Sequence, residues 1–279
     1  MTVAVVCVMG LPGAGKSTLC KYLTQSKEFI EILRSCLSSI DSVQVHWISF
    51  DRVESGLRGN EANFDPIVWR ETRNRVDQMV TDIRMNPSLS SQLDLVLLDD
   101  NFYYQSMRRR YKPNGIIFIC RPPEECIRQN QLPRDSSPVP EHVIHRMALL
   151  MEEPNDIPRC PVLRLLSENS MDAAAMSAQK FWQQVYRSAT AENPDQQNLS
   201  LQITERERVL NTFESRLRRA VGHAITGNCF RKDLMRLISM RKRESLDRLK
   251  ALLASGTVRV DEVCDQLESE FANELVTLV

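Results

Sequence analysis

Gly10-Leu11-Pro12-Gly13-Ala14-Gly15-Lys16-Ser17-Thr18 follows the apolar run Val3-Ala4-Val5-Val6-Cys7-Val8-Met9 and precedes Leu19-Cys20-Lys21-Tyr22-Leu23, which has helical spacing. Strand, glycine-rich loop and helix occur in the order that lets G-x4-G-K-S cradle the phosphates of a nucleoside triphosphate. Glycines allow the backbone to wrap closely, so that successive N–H groups aim at the anion. The Lys16 ammonium is expected to reach the β and γ phosphates. The Ser17 hydroxyl is expected to meet Mg²⁺, with the helix N-terminus adding a favourable dipole. Gly10, Gly13, Ala14, Gly15, Lys16, Ser17 and Thr18 are therefore the expected ATP-contacting residues.

Working outward, a chain of 279 residues has room for about two domains. Its net charge is zero, so any nucleic-acid signal must be local. No apolar run approaches the length of a membrane span. The glycine loop starts within ten residues of Met1, which leaves no space ahead of it for a signal or transit peptide. The eight cysteines are scattered without a C-x-x-C pair. Buried reduced thiols and a cytoplasmic location are the expectation. His46, His142, His145 and His223 form no ligand-spaced cluster and read as structural or surface residues.

Apolar strand patterns recur at Ser42–Phe50, Leu93–Leu98, Ile116–Cys120 and Val162–Leu166, separated by helical patterns. Asp65-Pro66 opens one of these helices, since proline suits a first turn. Trp69, Val76, Met79, Val80 and Ile83 keep its period as far as Met85. Met176, Phe181, Trp182 and Val185 define an inward face for a single helix over Ala173–Ala189. This alternation predicts an α/β fold: a parallel sheet covered by helices on both faces. In such sheets ligands bind beyond the carboxyl ends of the strands. The glycine loop, Asp51 and Asp99-Asp100-Asn101 each follow a strand and so share one rim.

On that rim Asp51 is expected to bind Mg²⁺ through water or to take a proton from an acceptor hydroxyl. Asp99 closes Leu95-Val96-Leu97-Leu98 in the manner of a Walker B strand. One of Asp99 and Asp100 should face the nucleotide, and alternation alone does not say which. Ser17, Asp51, Asp99 and Asp100 are the candidate Mg²⁺ set. Lys16, Asp51, Asp99 and a lid arginine are the candidate catalytic set. Arg121, Arg128 and Arg134 flank the lid segment, and Arg128 is preferred over Arg134. Such a cation neutralises charge on the transferred phosphoryl group. Tyr103 and Tyr104 suit either stacking on a base or packing on the lid. The run Arg108-Arg109-Arg110 reads as solvent-facing.

Ala191-Glu192-Asn193-Pro194-Asp195-Gln196-Gln197-Asn198 is polar and aperiodic. The expected organisation is a kinase domain over 1–190, a linker over 191–199 and a helical domain over 200–279. Residues 200–250 hold thirteen basic and six acidic residues, a local excess of seven positive charges. Such an excess suits a phosphate-backbone surface. The last helix is acidic, and it offers itself either to the basic helices or to a second subunit, so a homodimer is one partner candidate.

Leu97-Leu98-Asp99-Asp100-Asn101-Phe102-Tyr103-Tyr104-Gln105-Ser106-Met107-Arg108, taken with the glycine loop, resembles the L-seryl-tRNA(Sec) kinase family. Further similarity lies at Pro123–Asn130, Pro140–Met147, Glu153–Asn155 and Leu217–Ala220. The resemblance implies a P-loop kinase domain and a helical domain that grips tRNA. It also implies transfer of the ATP γ-phosphate to the serine hydroxyl of seryl-tRNA(Sec), giving O-phosphoseryl-tRNA(Sec) for selenocysteine synthesis. By position, Lys16, Ser17, Asp51 and the Asp99/Asp100 pair match the family's phosphate, metal and acidic residues. The chain departs from the pattern in three places. Glu54 stands where archaeal members have arginine. Arg128 is followed by Leu132 in place of the second lid arginine. The 106–115 connection is short, which points either to a distorted sheet or to a divergent form. A related Elongator-associated tRNA-binding ATPase supplies the alternative: ATP and tRNA binding without serine phosphorylation.

Overall fold

The computed structural model of the chain describes residues 2–37, 40–58, 65–86, 91–132, 138–155, 159–166, 170–191, 209–210, 212–221, 232–255 and 260–278. The chain divides into two compact units, Met1–Ala191 and Glu192–Val279.

Among its described residues the first unit holds five strands: β1 (Thr2–Met9), β2 (Ser42–Ser49), β3 (Gln92–Asp99), β4 (Gly115–Cys120) and β5 (Val162–Leu166). They form one sheet in the order β2-β3-β1-β4-β5, and every pairing is parallel. Around the sheet run α1 (Lys16–Gln25), α2 (Lys27–Cys36), α3 (Phe50–Arg58), α4 (Pro66–Met85), α5 (Gln105–Arg109), α6 (Pro123–Asn130), α7 (Glu141–Leu150), α8 (Met171–Ser177) and α9 (Gln179–Thr190). This is the α/β architecture expected from the alternating pattern.

β1 lies at the centre of the sheet and is apolar on both faces, as a doubly covered parallel strand must be. Ala4, Val6 and Val8 join Leu95, Leu97, Leu19, Leu23 and Trp182 in one core. Val5, Cys7 and Met9 join Val96, Leu98, Phe102 and Val80 in the other. β2 is an edge strand, so Val43, Val45 and Trp47 are only half-buried rather than enclosed.

Local chemistry explains the helix starts. Asp65 accepts from the Ile67 amide at 2.7 Å with Pro66 in the first turn, and so caps α4. Ser26 caps α2 by accepting from Phe29 N at 3.1 Å. The single helix expected over 173–189 is instead two, broken at Ala178, whose ψ is 51°. The Trp182 indole N–H donates to Ala175 O at 2.8 Å, and its ring packs edge-on to Phe29 at 5.1 Å. The break satisfies a buried donor while seating the largest core side chain.

The short 106–115 connection does not distort the sheet. α5 is only five residues long, yet Val6 to Met9 pair in unbroken register with Gly115 to Phe118. The Asn114 side chain closes the crossover by accepting from Val5 N at 2.9 Å. The seven described cysteines are free thiols. Among the described residues no helix is long and apolar enough to cross a membrane.

Among its described residues the second unit shows three helices: α10 (212–221), α11 (Lys232–Ser255) and α12 (Val260–Leu278). Phe213, Leu217, Leu249, Leu267 and Phe271 are buried there. The basic residues do not form a wholly open surface. Arg216 pairs with Asp265 and Glu268 of α12, Arg248 with Glu270 at 2.8 Å, and Arg241 with Glu244 and Glu274. The acidic last helix therefore takes up part of the positive excess within this unit. Arg206, Arg208 and Arg231 lie outside the described residues.

Candidate functional site

β1 ends at Met9 and the glycine loop turns directly into α1. Gly13 and Gly15 adopt φ of 83° and 101°, a left-handed backbone that side chains disfavour. A Cβ at Gly13 would lie 2.1 Å from the Cys126 carbonyl oxygen of α6. The loop is thus pressed between β4 and α6.

Lys16 is buried. Its ammonium donates to Gly10 O at 3.1 Å, Leu11 O at 2.9 Å and Asn101 Oδ1 at 2.9 Å. The Asn101 carbonyl in turn accepts from Gly10 N at 3.4 Å. Ser17 and Thr18 are exposed at the start of α1.

The two aspartates that end β3 go to opposite faces. Asp99 is buried, accepts from the Trp47 indole N–H at 3.1 Å, and hydrogen-bonds with the Ser17 side chain. Burial pushes its carboxyl up, while Lys16, Ser17 and Trp47 pull it back down. Asp100 turns the other way. Its oxygens are held by Arg73 Nη2 at 3.3 Å and by the Asn101 amide at 2.8 Å. Burial lifts its carboxyl to about 6 despite Arg73. Strand alternation thus takes Asp100 out of the metal set expected from the sequence and leaves Asp99 beside Ser17.

Asp51 lies in the first turn of α3, exposed on the rim. It is within electrostatic reach of both Asp99 and Asp100. Its neighbours are stacked against other elements. Arg52 lies over the Trp47 ring at 4.1 Å. The Phe50 ring faces the Arg73 guanidinium at 5.6 Å.

Arg128 is exposed near the end of α6, whose buried residues are Cys126, Ile127 and Asn130. Arg134, its alternative, lies outside the described residues. Arg121 follows β4 on the rim. Its Nε is buried without a hydrogen-bond partner, and Glu125 Oε2 lies 3.6 Å away. Nearby, burial raises the Cys126 thiol to about 11, against the pull of Lys16 and Arg121.

Sequence reasoning placed Arg108 in solvent, but it is buried. Its guanidinium donates to Phe102 O at 2.6 Å and to Glu152 O at 2.8 Å. Glu152 N also donates to Tyr103 O at 2.8 Å. The loop after β3 is thus stitched to the segment after α7. The Tyr103 and Tyr104 rings lie against each other, tilted by 43°, with centroids 4.2 Å apart. Arg110 pairs with Asp77, and both Arg109 and Arg110 are exposed.

Asn101, Trp47 and Arg73 were missed as site residues. Asn101 carried a signal, as a polar side chain directly after two aspartates at a strand end. Arg73 carried none, because it reaches the rim from α4, and Trp47 on β2 read only as a core residue until the pairing of β2 with β3 set its indole against Asp99.

Comparison with known proteins bears on this geometry. The family described as chromatin associated protein KTI12 matches residues 3–233, which takes in the loop, Asp51, both aspartates and α6. The chain belongs to the KTI12 family. One curated relative of this KTI12-family chain is the Mus musculus L-seryl-tRNA(Sec) kinase, 40% identical over 77 residues. That match spans 25% of this chain and 21% of the mouse protein. Among solved structures, APE1195 matches with a TM-score of 0.39 and 18% identity, over 68% of this chain and 98% of its own. The Mycobacterium tuberculosis APS kinase CysC, in complex with AMPPNP and APS, matches with a TM-score of 0.38 and 16% identity, over 65% and 98%.

Proposed function

We propose that this KTI12-family chain is an ATP-dependent kinase that phosphorylates the serine hydroxyl of seryl-tRNA(Sec). The observation that carries the phosphotransfer chemistry is the convergence of Lys16, Ser17 and Asp99 at the glycine loop, with Asp51 facing them from α3. The loop and the N-terminus of α1 would hold the triphosphate. Among the described residues no three His, Cys, Asp or Glu side chains cluster as a metal site. Mg²⁺ takes one or two protein ligands and completes its shell with phosphates and water. Ser17, with Asp99 behind it, would hold the ion, which supplies charge neutralisation on the phosphates. Asp51, exposed on the acceptor side, would take the hydroxyl proton. Identity to the mouse kinase supports the serine acceptor. The local positive excess in the helical unit supports tRNA as its carrier.

A second reading, a tRNA-binding ATPase without serine kinase activity, is favoured by the exposure of Arg128 and by Glu54 in place of arginine. Incubation with Mg²⁺-ATP and a panel of seryl-tRNAs, followed by deacylation, separates the two. Phosphoserine from seryl-tRNA(Sec) alone is the expected result. ATP hydrolysis stimulated by tRNA with no phosphoserine would support the second reading instead.

A further inference from the structure

Phe102 adopts a φ of 45° two residues beyond the end of β3 and Asp99. That is the left-handed region, which bulky side chains rarely enter, and the ring is enclosed in the core. Among the described residues the only other non-glycine residue with positive φ is Lys112, which is exposed. Strain of this kind persists only where neighbouring contacts over-determine the conformation, and it gathers at functional sites.

The contacts that hold Phe102 come from two sides. Phe50 meets its ring edge-on at 5.5 Å and Tyr111 at 5.9 Å. Arg108, on the short helix α5, donates Nη1 to the Phe102 carbonyl at 2.6 Å and Nη2 to the Glu152 carbonyl at 2.8 Å. This guanidinium belongs to a residue only 3% exposed, and both bonds go to neutral acceptors. Burying a cation on neutral carbonyls carries a desolvation cost that filling a core does not require.

What the strained residue adjoins is the anchor of the glycine loop. Asn101, immediately before it, accepts from Lys16 Nζ at 2.9 Å through Oδ1 and from Gly10 N at 3.4 Å through its carbonyl. A continuous path therefore runs from the Arg108 guanidinium, through the Phe102 carbonyl and Asn101, to the first glycine and the cation of the loop. We infer that Arg108 is a positioning residue for nucleotide binding: it locks the left-handed turn at Phe102 that keeps Asn101 on Gly10 and Lys16. Groups ordered before a ligand arrives need not be ordered at the binding step, which raises affinity. The inference rests on the reading of the glycine loop as the triphosphate site, and Arg108 acts on that site only through Asn101.

The test uses the full chain and a fluorescent ATP analogue in excess Mg²⁺, followed by anisotropy, with thermal melts to check that each variant is folded. Arg108→Met keeps an unbranched apolar stem and removes the fork, and it should weaken binding about tenfold. Arg108→Gln, with one amide in place of the fork, should lose at least about threefold and carries the test if the methionine variant does not fold. Val80→Ala opens a gap in the same core from α4 and should stay within about twofold of the parent. Asn101→Ala should itself weaken binding, and adding Arg108→Met to it should cost little more, because the arginine acts through that asparagine. Unchanged or tighter binding by a folded Arg108 variant overturns the inference. Equal loss in Val80→Ala, or losses that simply add in the double variant, overturn it as well, since either marks general damage to the core. A parent chain that does not bind the analogue overturns it together with the reading of the loop. Phosphoserine formation is scored separately, and its absence from a parent that binds the analogue would sink the kinase reading alone.

Discussion

Lys16 and Asn101 join the glycine loop to the end of β3 through a charged hydrogen bond of 2.9 Å between Nζ and Oδ1. The same asparagine accepts from Gly10 through its backbone. One residue thus holds both the start of the loop and its cation. Replacing it with alanine leaves a buried ammonium with two carbonyl partners instead of three. Asn101→Ala should lower the unfolding free energy by about 1.5–3 kcal/mol, the range for hydrogen bonds to charged groups. Urea denaturation without nucleotide measures this, and an unchanged midpoint would show that the contact contributes nothing. Lys16→Ala, by contrast, should abolish phosphate transfer.

Trp47 and Asp99 give a pH prediction. The indole N–H stabilises the charged carboxylate. Burial already lifts Asp99 above its ordinary 3.8, so activity that needs the anion should fail on the acid side above that value. Trp47→Phe removes a donor to the anion and should move the acid limb of kcat/KM to still higher pH. A limb that stays in place, or moves lower, contradicts the assignment.

Asp100 and Arg73 give a stability prediction with the opposite ionisation logic from a salt-bridged surface carboxylate. The folded Asp100 titrates near 6 against 3.8 for the ordinary group. The folded state therefore holds this proton more tightly than the unfolded state. That contribution is full below the unfolded value and is lost as pH rises toward about 6. Asn at position 100 carries no titrating proton. The stability of Asp100→Asn relative to the parent should rise by about 2 kcal/mol between pH 4 and pH 7. Denaturation curves across that range decide it, and a pH-independent difference would refute it.

Gly13 and Cys126 give a packing prediction. A Cβ at Gly13 would meet the Cys126 carbonyl at 2.1 Å, and φ of 83° is unfavourable for alanine in any case. Backbone strain of this kind costs about 1–3 kcal/mol, and the clash adds displacement of α6. Gly13→Ala should weaken ATP-analogue binding about tenfold or more and increase hydrogen exchange over 123–130. Calorimetric titration and exchange mass spectrometry check the two halves.

The amino-acid sequence by itself determined the parallel sheet, because five short apolar runs alternating with helical periods admit few other arrangements. It also determined the glycine loop and the common rim, since Asp51 and Asp99 each follow an apolar run that ends in a carboxylate. Only the tertiary structure decided which of Asp99 and Asp100 faces Ser17. Side chains alternate along a strand, and the phase is set by how β3 registers against β1 and β2. It alone brought Trp47 and Arg73 to the rim, from residues some 25 to 50 positions away in the chain. It also reversed two readings that local charge suggested. Arg108 is buried because two backbone carbonyls, those of Phe102 and Glu152, converge on its guanidinium. The positive excess of the second unit is partly neutralised because α12 lays its carboxylates against Arg216, Arg241 and Arg248. A run of like charge in a sequence is a sum over neighbours in the chain, whereas the field at a surface is a sum over neighbours in space.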